Sequence, residues 1–146
     1  MKTLGDIMRP GFLFTVQRDQ PVAHAVRVMS DNNIGIVIVL DGDRLAGVFS
    51  ERDVVRRVVD WGRDPVRVAV GDVMTPDVIV ADVDDDYRSA IRTMDDANIR
   101  HLLVASEGRL LSMLSIRDLI RVDREERNEE IGYLREYLFQ VPAGAA

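Results

Sequence analysis

The chain has 146 residues, with 19 Lys and Arg against 25 Asp and Glu, so its formal net charge is −6. It contains no cysteine, which excludes a disulfide framework, a thiolate metal site and a cysteine nucleophile. No stretch approaches the ~18 apolar residues of a membrane span, and the acidic balance argues against binding nucleic acid through clustered Lys and Arg. We therefore expect a globular, cytoplasmic protein that contacts neither a membrane nor nucleic acid.

The first elements along the chain are a helix and two strands. Asp19 and Pro21 predict a helix start, with Asp19 as the N-cap, and apolar residues at helical spacing follow from Val22 to Met29. The β-branched run at 36–40 is typical of a strand buried on both faces. The Asp-Gly-Asp turn that follows predicts a hairpin with a partner strand at 45–49. A second helix is expected to begin at Ser50.

The same pattern then occurs a second time. Gly5-Asp6-Ile7-Met8-Arg9-Pro10 recurs as Gly71-Asp72-Val73-Met74-Thr75-Pro76 at an offset of 66, and later matches keep an offset of 65. The second copy has a helix after Asp84-Asp85-Asp86, strands at 101–105 and 110–114, and a helix after Ser115. Each copy also has a short extended piece before its first helix, at 14–16 and at 78–81.

These patterns predict an α+β fold built from two units, each a three-stranded sheet with two helices. One unit alone would be marginally stable, so we expect the two to pack through their sheets with pseudo-twofold symmetry. The predicted domains are 1–62 and 63–122, followed by a helical extension with a frayed tail over 123–146. The link at 64–70 is expected to be extended.

The motifs of the two copies resemble those of CBS domains, and two in tandem resemble a Bateman module. The resemblance covers about residues 3 to 122. It rests on Asp6-Ile7-Met8-Arg9-Pro10 followed by Gly47-Val48-Phe49-Ser50-Glu51-Arg52-Asp53, and on Asp72-Val73-Met74-Thr75-Pro76 followed by Ser112-Met113-Leu114-Ser115-Ile116-Arg117-Asp118. It implies a regulatory protein, without a catalytic role, that binds an adenosine-containing ligand between its two units, forms homodimers and signals to an unidentified protein partner.

The resemblance also implies the site residues. Ser50 and Ser115 would face phosphate, while Asp53 and Asp118 would accept the two ribose hydroxyls. The ligand would be AMP, ADP or ATP, with S-adenosylmethionine or a nicotinamide dinucleotide as further possibilities, and no cofactor or metal is required. The remaining candidates would either supply cations for the phosphate or contact the adenine base. The first group is Arg9, Arg52, Arg100, His101 and Arg117, and the second is Thr15, Val16, Ile36, Val80 and Ala81.

Each of these signals has a structural alternative. Ser-x-x-Asp is also the outline of a capping box, in which serine and acid cap the start of a helix. Arg100-His101 stands where the first copy has Gly35-Ile36, so the two sites are expected to be unequal. Gly47 becomes Ser112 in the second copy, which opposes a close backbone approach at that site.

Two further segments carry alternatives of their own. The acidic run from Asp82 to Asp86 lacks the spacing of a calcium loop and is better explained as the start of a helix. A long helix is predicted from Ile116, with Ile131, Leu134, Tyr137 and Leu138 forming an apolar stripe. This stripe either packs back on its own unit or faces a partner, and we favour a partner.

Three functions are compatible with the pattern. A nucleotide sensor used in energy sensing and signal transduction is favoured. The alternative is a ligand-free dimerisation or protein-interaction scaffold in which the serine–aspartate pairs only cap helices. An enzyme is disfavoured, because no catalytic triad, zinc-protease motif or Walker loop is present in the sequence.

Overall fold

The computed structural model describes residues 2–8 and 13–139. These residues form two three-stranded sheets with flanking helices, which confirms the α+β fold. In chain order the elements are α1 (Leu4–Ile7), β1 (Thr15–Gln17), α2 (Val22–Asp31), β2 (Ile36–Asp41), β3 (Arg44–Ser50), α3 (Glu51–Asp53) continued by a π-helical segment (Val54–Val59), α4 (Val70–Val73), β4 (Val80–Asp82), α5 (Tyr87–Ala97), β5 (His101–Ser106), β6 (Arg109–Ser115) and α6 (Ile116–Phe139).

The two sheets have the same topology and register. In each, a short first strand runs parallel to the central strand, which pairs antiparallel with the third. Thr15 lies opposite Ile38, and Val80 lies opposite Leu103, an offset of 65 on both strands. Both hairpins also shift register at the equivalent point, after Val39 and after Val104. The internal repeat seen in the sequence is therefore a repeat of three-dimensional structure.

The central strands are buried on both faces. Val37, Ile38 and Val39 are each at most 1% exposed although their side chains alternate between the two faces of the sheet. Leu102, Leu103 and Val104 of β5 are equally buried. This burial explains why both strands are continuous apolar runs rather than alternating ones.

The start of α2 differs from the prediction. The N-cap is Pro21 and not Asp19, and no side chain caps the helix. Instead, the Val22 N–H donates to the Val68 carbonyl at 3.0 Å, and the Ala23 N–H donates to the Pro65 carbonyl at 2.8 Å. The segment predicted to be an extended link turns at 65–67 to place these carbonyls, because the first N–H groups of a helix need acceptors.

The leading helix of each repeat is held by backbone hydrogen bonds. In α4, the Val70 N–H donates to the Gln20 carbonyl and the Gly71 N–H donates to the Arg18 carbonyl. In α1, the Leu4 N–H donates to the Asp85 carbonyl and the Gly5 N–H to the Val83 carbonyl, and the Tyr87 N–H donates to the Lys2 carbonyl. Equivalent positions of the two repeats therefore make equivalent bonds.

The compact units consequently do not follow the linear order of the repeats. One unit contains the described residues between 13 and 79, so it includes α4 from the start of the second repeat. The other contains residues 2–8 together with 80–139, so it includes α1 from the start of the first repeat. Each sheet is completed by the leading helix that belongs, by sequence, to the other repeat.

Gly47 allows one of these close approaches. Val48 of β3 exchanges two backbone hydrogen bonds with Thr75, at 3.0 and 2.9 Å. A Cβ atom at position 47 would lie 2.4 Å from the Thr75 carbonyl oxygen, closer than any non-bonded contact allows. Gly47 therefore allows two segments of the chain to approach each other closely.

The helix α6 is a single element of 24 residues. Its first half is tied to α5 through the buried Tyr87, whose hydroxyl donates to Glu126 at 2.5 Å and to Asp123 at 3.3 Å. The Arg88 guanidinium donates to the same hydroxyl at 3.0 Å. Burial, followed by the hydrogen bond to Glu126, raises the pKa of Tyr87 to about 12. Within residues 2–8 and 13–139, no helix is long and apolar enough to cross a membrane.

Gly47→Ala should destabilise the fold by about 1–3 kcal/mol, because the added methyl group forces β3 away from the 74–76 segment. Urea denaturation measures the change. The matched control is Ser112→Ala, at the equivalent position of the second repeat, which removes a hydroxyl and should cost less than about 1.5 kcal/mol. Equal stability of Gly47→Ala and the parent protein would contradict the steric explanation.

Tyr87→Phe should lower the free energy of unfolding by about 1.5–3 kcal/mol, because a buried hydroxyl bound to charged partners is lost while the ring still fills its space. Tyr137→Phe, on the exposed part of α6, is the control and should change stability by less than about 0.5 kcal/mol. A similar, small effect of both variants would show that the Tyr87 hydrogen bonds do not hold α6 to α5.

Candidate functional site

Both serine–aspartate pairs form capping boxes. In the first repeat the Asp53 N–H donates to the Ser50 hydroxyl at 3.3 Å, and the Ser50 N–H donates to the Asp53 carboxylate at 3.0 Å. The Ser115–Asp118 pair has the same two bonds at 3.3 and 3.0 Å. The structural alternative is therefore correct for both serines, and the aspartates differ in what else binds their carboxylates.

The Asp53 carboxylate is enclosed. Its side chain is only 8% exposed, and the Thr75 hydroxyl donates to it at 3.1 Å. The Arg57 guanidinium lies 3.8 Å from the same carboxylate and also donates to the Met74 carbonyl at 2.6 Å. A ligand could reach the Asp53 oxygens only after the Thr75 hydroxyl had turned away.

The Asp118 carboxylate is open. Its side chain is 41% exposed, and its second oxygen accepts a bond from Arg121 at 2.8 Å, a residue that is itself 54% exposed. It lines a cavity of about 240 Å³ together with Ile7, Ser112, Leu114, Arg121, Val122 and Glu125. Ligand pockets usually measure roughly 300–1,000 Å³, so this cavity is smaller than a pocket that encloses a whole ligand.

Arg100 and His101 lie at the same end of the second sheet as Ser115. His101 is paired with Ser115 across the β5–β6 ladder, and the Arg100 carbonyl accepts a 2.8 Å bond from the Ile116 N–H. The pKa of His101 is lowered from its usual 6.5, chiefly by burial and also by Arg100, while the Asp118 charge opposes the shift. Burial therefore disfavours the protonated form of the His101 ring, whereas the neighbouring Arg100 side chain is exposed.

The remaining predicted residues occupy varied surroundings. Arg52, Arg117 and Thr15 are exposed, and Val80 is 43% exposed, so all four are accessible. Ile36 and Ala81 are half-buried, and Ile36 lies opposite Ser50. Val16 belongs to the core at 3% exposure, so only its backbone could face a ligand. Arg9 lies outside the described residues.

Four residues around these carboxylates were not predicted from the sequence: Thr75 and Arg57 beside Asp53, and Arg121 and Glu125 near Asp118. Thr75 belongs to the second leading motif, and nothing in its local pattern connects it to Asp53. Arg121 and Glu125 follow Asp118 by three and seven positions, a spacing that places all three on one helical face. That spacing was readable in the sequence, whereas the contact of Thr75 with Asp53 needed the tertiary structure.

The acidic run before α5 is used for local structure. Asp86 caps the helix by accepting from the Arg88 N–H, the Asp85 carboxylate accepts from the Asp82 N–H at 2.9 Å, and Asp82 accepts from Asp84 at 2.9 Å. Across the described part of the chain, no group of three or more His, Asp or Glu side chains is arranged to hold a metal ion.

The two repeats, each with a capped helix after its hairpin, have the features of one known domain family. The family model of the CBS domain matches residues 4–60 and 70–125, and the chain belongs to the CBS-domain family. Proteins of this family are generally regulatory and act in signal transduction.

Relatives and solved structures support the same assignment. The mitochondrial CBS domain-containing protein CBSX3 of Arabidopsis thaliana is 31% identical over 147 residues, covering 93% of this chain and 71% of that protein. A CBS-domain containing protein from Agrobacterium tumefaciens has a similar structure, with a TM-score of 0.77 at 28% identity, covering 84% of this chain and 99% of the other. Hypoxic response protein 1 of Mycobacterium tuberculosis is 27% identical over 122 residues, covering 83% of this chain and 85% of that protein.

His101→Gln should make the stability of the protein less dependent on pH. The folded state holds His101 with a lowered pKa, so it binds the proton less tightly than the unfolded chain does. The parent protein should therefore lose stability as the pH falls through 6.5 and below, and the His101→Gln variant should lose less. Urea denaturation at pH 7.5 and pH 5.5 measures both.

His24→Gln is the matched control, because His24 is exposed and is the only other histidine in the chain. A smaller pH dependence in the His101→Gln variant than in the His24→Gln variant would assign the effect to His101. An NMR titration of the two histidine rings gives an independent measurement. An unshifted or raised pKa for His101 would contradict the effect that burial is expected to have.

Proposed function

We propose that this chain is a non-catalytic regulatory module that binds an adenosine-containing nucleotide, with Asp118 accepting the ribose hydroxyls. The observation that carries the proposal is the exposed Asp118 carboxylate, which lines a cavity at the start of α6. Ser115 caps the same helix start. The CBS-domain assignment adds support, because binding of adenosine ligands is common among pairs of these domains.

The chemistry of the helix start suits such a ligand. A carboxylate has two oxygens that accept hydrogen bonds, which matches two neighbouring hydroxyls, and bonds to a charged acceptor are stronger than neutral ones. The contact with Arg121 does not block the carboxylate, because exposed ion pairs contribute only about 0–1 kcal/mol and exchange readily. Ser115 stands at the positive end of α6, where an anionic phosphate is favoured.

The two repeats would contribute unequally. Asp118 is accessible as it stands, whereas Asp53 must first lose the hydrogen bond from Thr75. Arg100 and His101 lie next to Ser115 at the end of the second sheet, and Arg117 follows Ser115 in α6. These three side chains are outside the lining of the cavity and would contact the phosphate rather than the ribose. We therefore propose that Asp118 carries most of the affinity and that Asp53 mainly stabilises its own unit.

Asp118→Asn should weaken binding of AMP and ATP at least about tenfold, since the loss of a charged acceptor typically costs more than 1.4 kcal/mol. The asparagine oxygen can still accept the Ser115 N–H, so the helix cap is preserved. Isothermal titration calorimetry gives the dissociation constants, and circular dichroism checks the fold. Asp96→Asn, on the exposed surface of α5, controls for the change in net charge and should bind like the parent.

Two results would overturn the proposal. One is a parent protein that binds none of AMP, ADP, ATP, NAD or S-adenosylmethionine at 1 mM. The other is an Asp118→Asn variant that binds as tightly as the parent. A ligand present at about 100 times its dissociation constant should also stabilise the fold by ~2.7 kcal/mol, which a thermal shift would detect. Failure of every ligand to stabilise the fold would favour the scaffold alternative.

A further inference from the structure

The two oxygens of the Asp118 carboxylate are bound differently within their own unit. Oδ2 accepts both the Ser115 N–H at 3.0 Å and the Ser115 hydroxyl at 2.9 Å. Oδ1 accepts the Arg121 guanidinium at 2.8 Å, and among residues 2–8 and 13–139 it has no second donor. Each carboxylate oxygen accepts about two hydrogen bonds, so Oδ2 is filled and Oδ1 has one free position. A ligand must therefore bind Oδ1.

One free position does not satisfy a whole ribose. The 2′ and 3′ hydroxyls of a ribose are two donors, and Oδ1 of Asp118 can accept both only when the Arg121 guanidinium has left it. Both side chains are partly exposed, and an exposed ion pair contributes too little to hold the guanidinium in one place. Binding of a whole ribose therefore depends on where else Arg121 can form a bond.

Glu125 provides a second carboxylate for Arg121. Asp118 precedes Arg121 by three residues on α6 and Glu125 follows it by four, and side chains at both spacings are neighbours on a helix. All three residues line the same cavity. The Glu125 side chain is exposed and takes part in none of the ion pairs that the described residues form. Arg121 can therefore exchange one carboxylate for the other by rotating its side chain.

We propose that Arg121 moves from Asp118 to Glu125 when a ribose binds, and that Glu125, as a positioning residue, thereby sets the preference for ribose over 2′-deoxyribose. This role rests on the proposed function, because it requires that Asp118 binds the sugar of a nucleotide. A 2′-deoxyribose has one hydroxyl fewer, so it needs only the single free position on Oδ1 and leaves Arg121 where it is. Arg121 and Glu125 therefore act on a ribose ligand and not on its deoxyribose counterpart.

Isothermal titration calorimetry with AMP and 2′-deoxy-AMP tests this role, and the readout is the ratio of the 2′-deoxy-AMP dissociation constant to that of AMP. Both ligands carry the same phosphate, so a change in local charge affects both equally and cancels in the ratio. Glu125→Gln should lower the ratio by up to about fivefold, because Arg121 then stays on Asp118. Glu129→Gln removes the same charge from an exposed position outside the cavity and should leave the ratio unchanged.

Arg121→Ala should raise the same ratio, because Oδ1 of Asp118 is then free for both hydroxyls. Adding Glu125→Gln to Arg121→Ala should have no further effect, since Glu125 acts only through Arg121.

Three results would overturn this role while AMP binding and its loss in Asp118→Asn remain. They are a parent ratio of one, a ratio that stays unchanged or moves in the opposite direction in either single variant, and a further effect of Glu125→Gln in the double variant. A parent protein that does not bind AMP would instead overturn the proposed function, and the role of Arg121 and Glu125 with it.

Discussion

The structure depends on the backbone hydrogen bonds that join each leading helix, and the residues just before it, to the sheet unit of the other repeat. Each sheet unit has a helix whose first N–H groups lack acceptors inside the unit's own hairpin. Carbonyls from the segment before the other repeat's leading helix supply them, at Pro65 and Val68 in one unit and at Lys2 in the other. Because this exchange is reciprocal, a chain with two similar halves folds as two units that each need a segment of the other half.

Among residues 2–8 and 13–139, the two helix starts are unequal. The segment that completes the first unit brings Thr75 onto Asp53, and Gly47 provides the space for it. At the equivalent point of the second unit, Ser112 replaces the glycine and Asp118 remains open to a cavity. A sequence repeat thus yields one enclosed carboxylate and one accessible carboxylate, and the proposed nucleotide site follows from the accessible one.

The fold was predictable from the sequence to a large extent, because both repeats carry strong local signals. The β-branched apolar run at 36–40 predicted a strand buried on both faces, as the structure shows for residues 37–39, and the serine caps mark the helix starts correctly. The prediction that Asp19 is the N-cap of α2 was wrong, because the backbone carbonyls of residues 65 and 68, and no side chain, accept hydrogen bonds from the first N–H groups of the helix. The enclosure of Asp53 was also beyond the sequence, because it depends on a contact between residues 22 positions apart whose spacing follows no regular period.

The exchanged leading helix has a consequence for how the protein is made on the ribosome. Leu4 is translated before Asp85, whose carbonyl accepts the Leu4 N–H from 81 residues further along the chain. At ~5–20 residues per second, α1 must wait about 4–16 s for its acceptor. In the unit between residues 13 and 79, the carbonyls that accept from the first N–H groups of α2 and α4 lie in one continuous stretch. This unit can therefore form while α1 still lacks the Asp85 carbonyl. During translation the two units can therefore fold only in one order, although their sequences are similar.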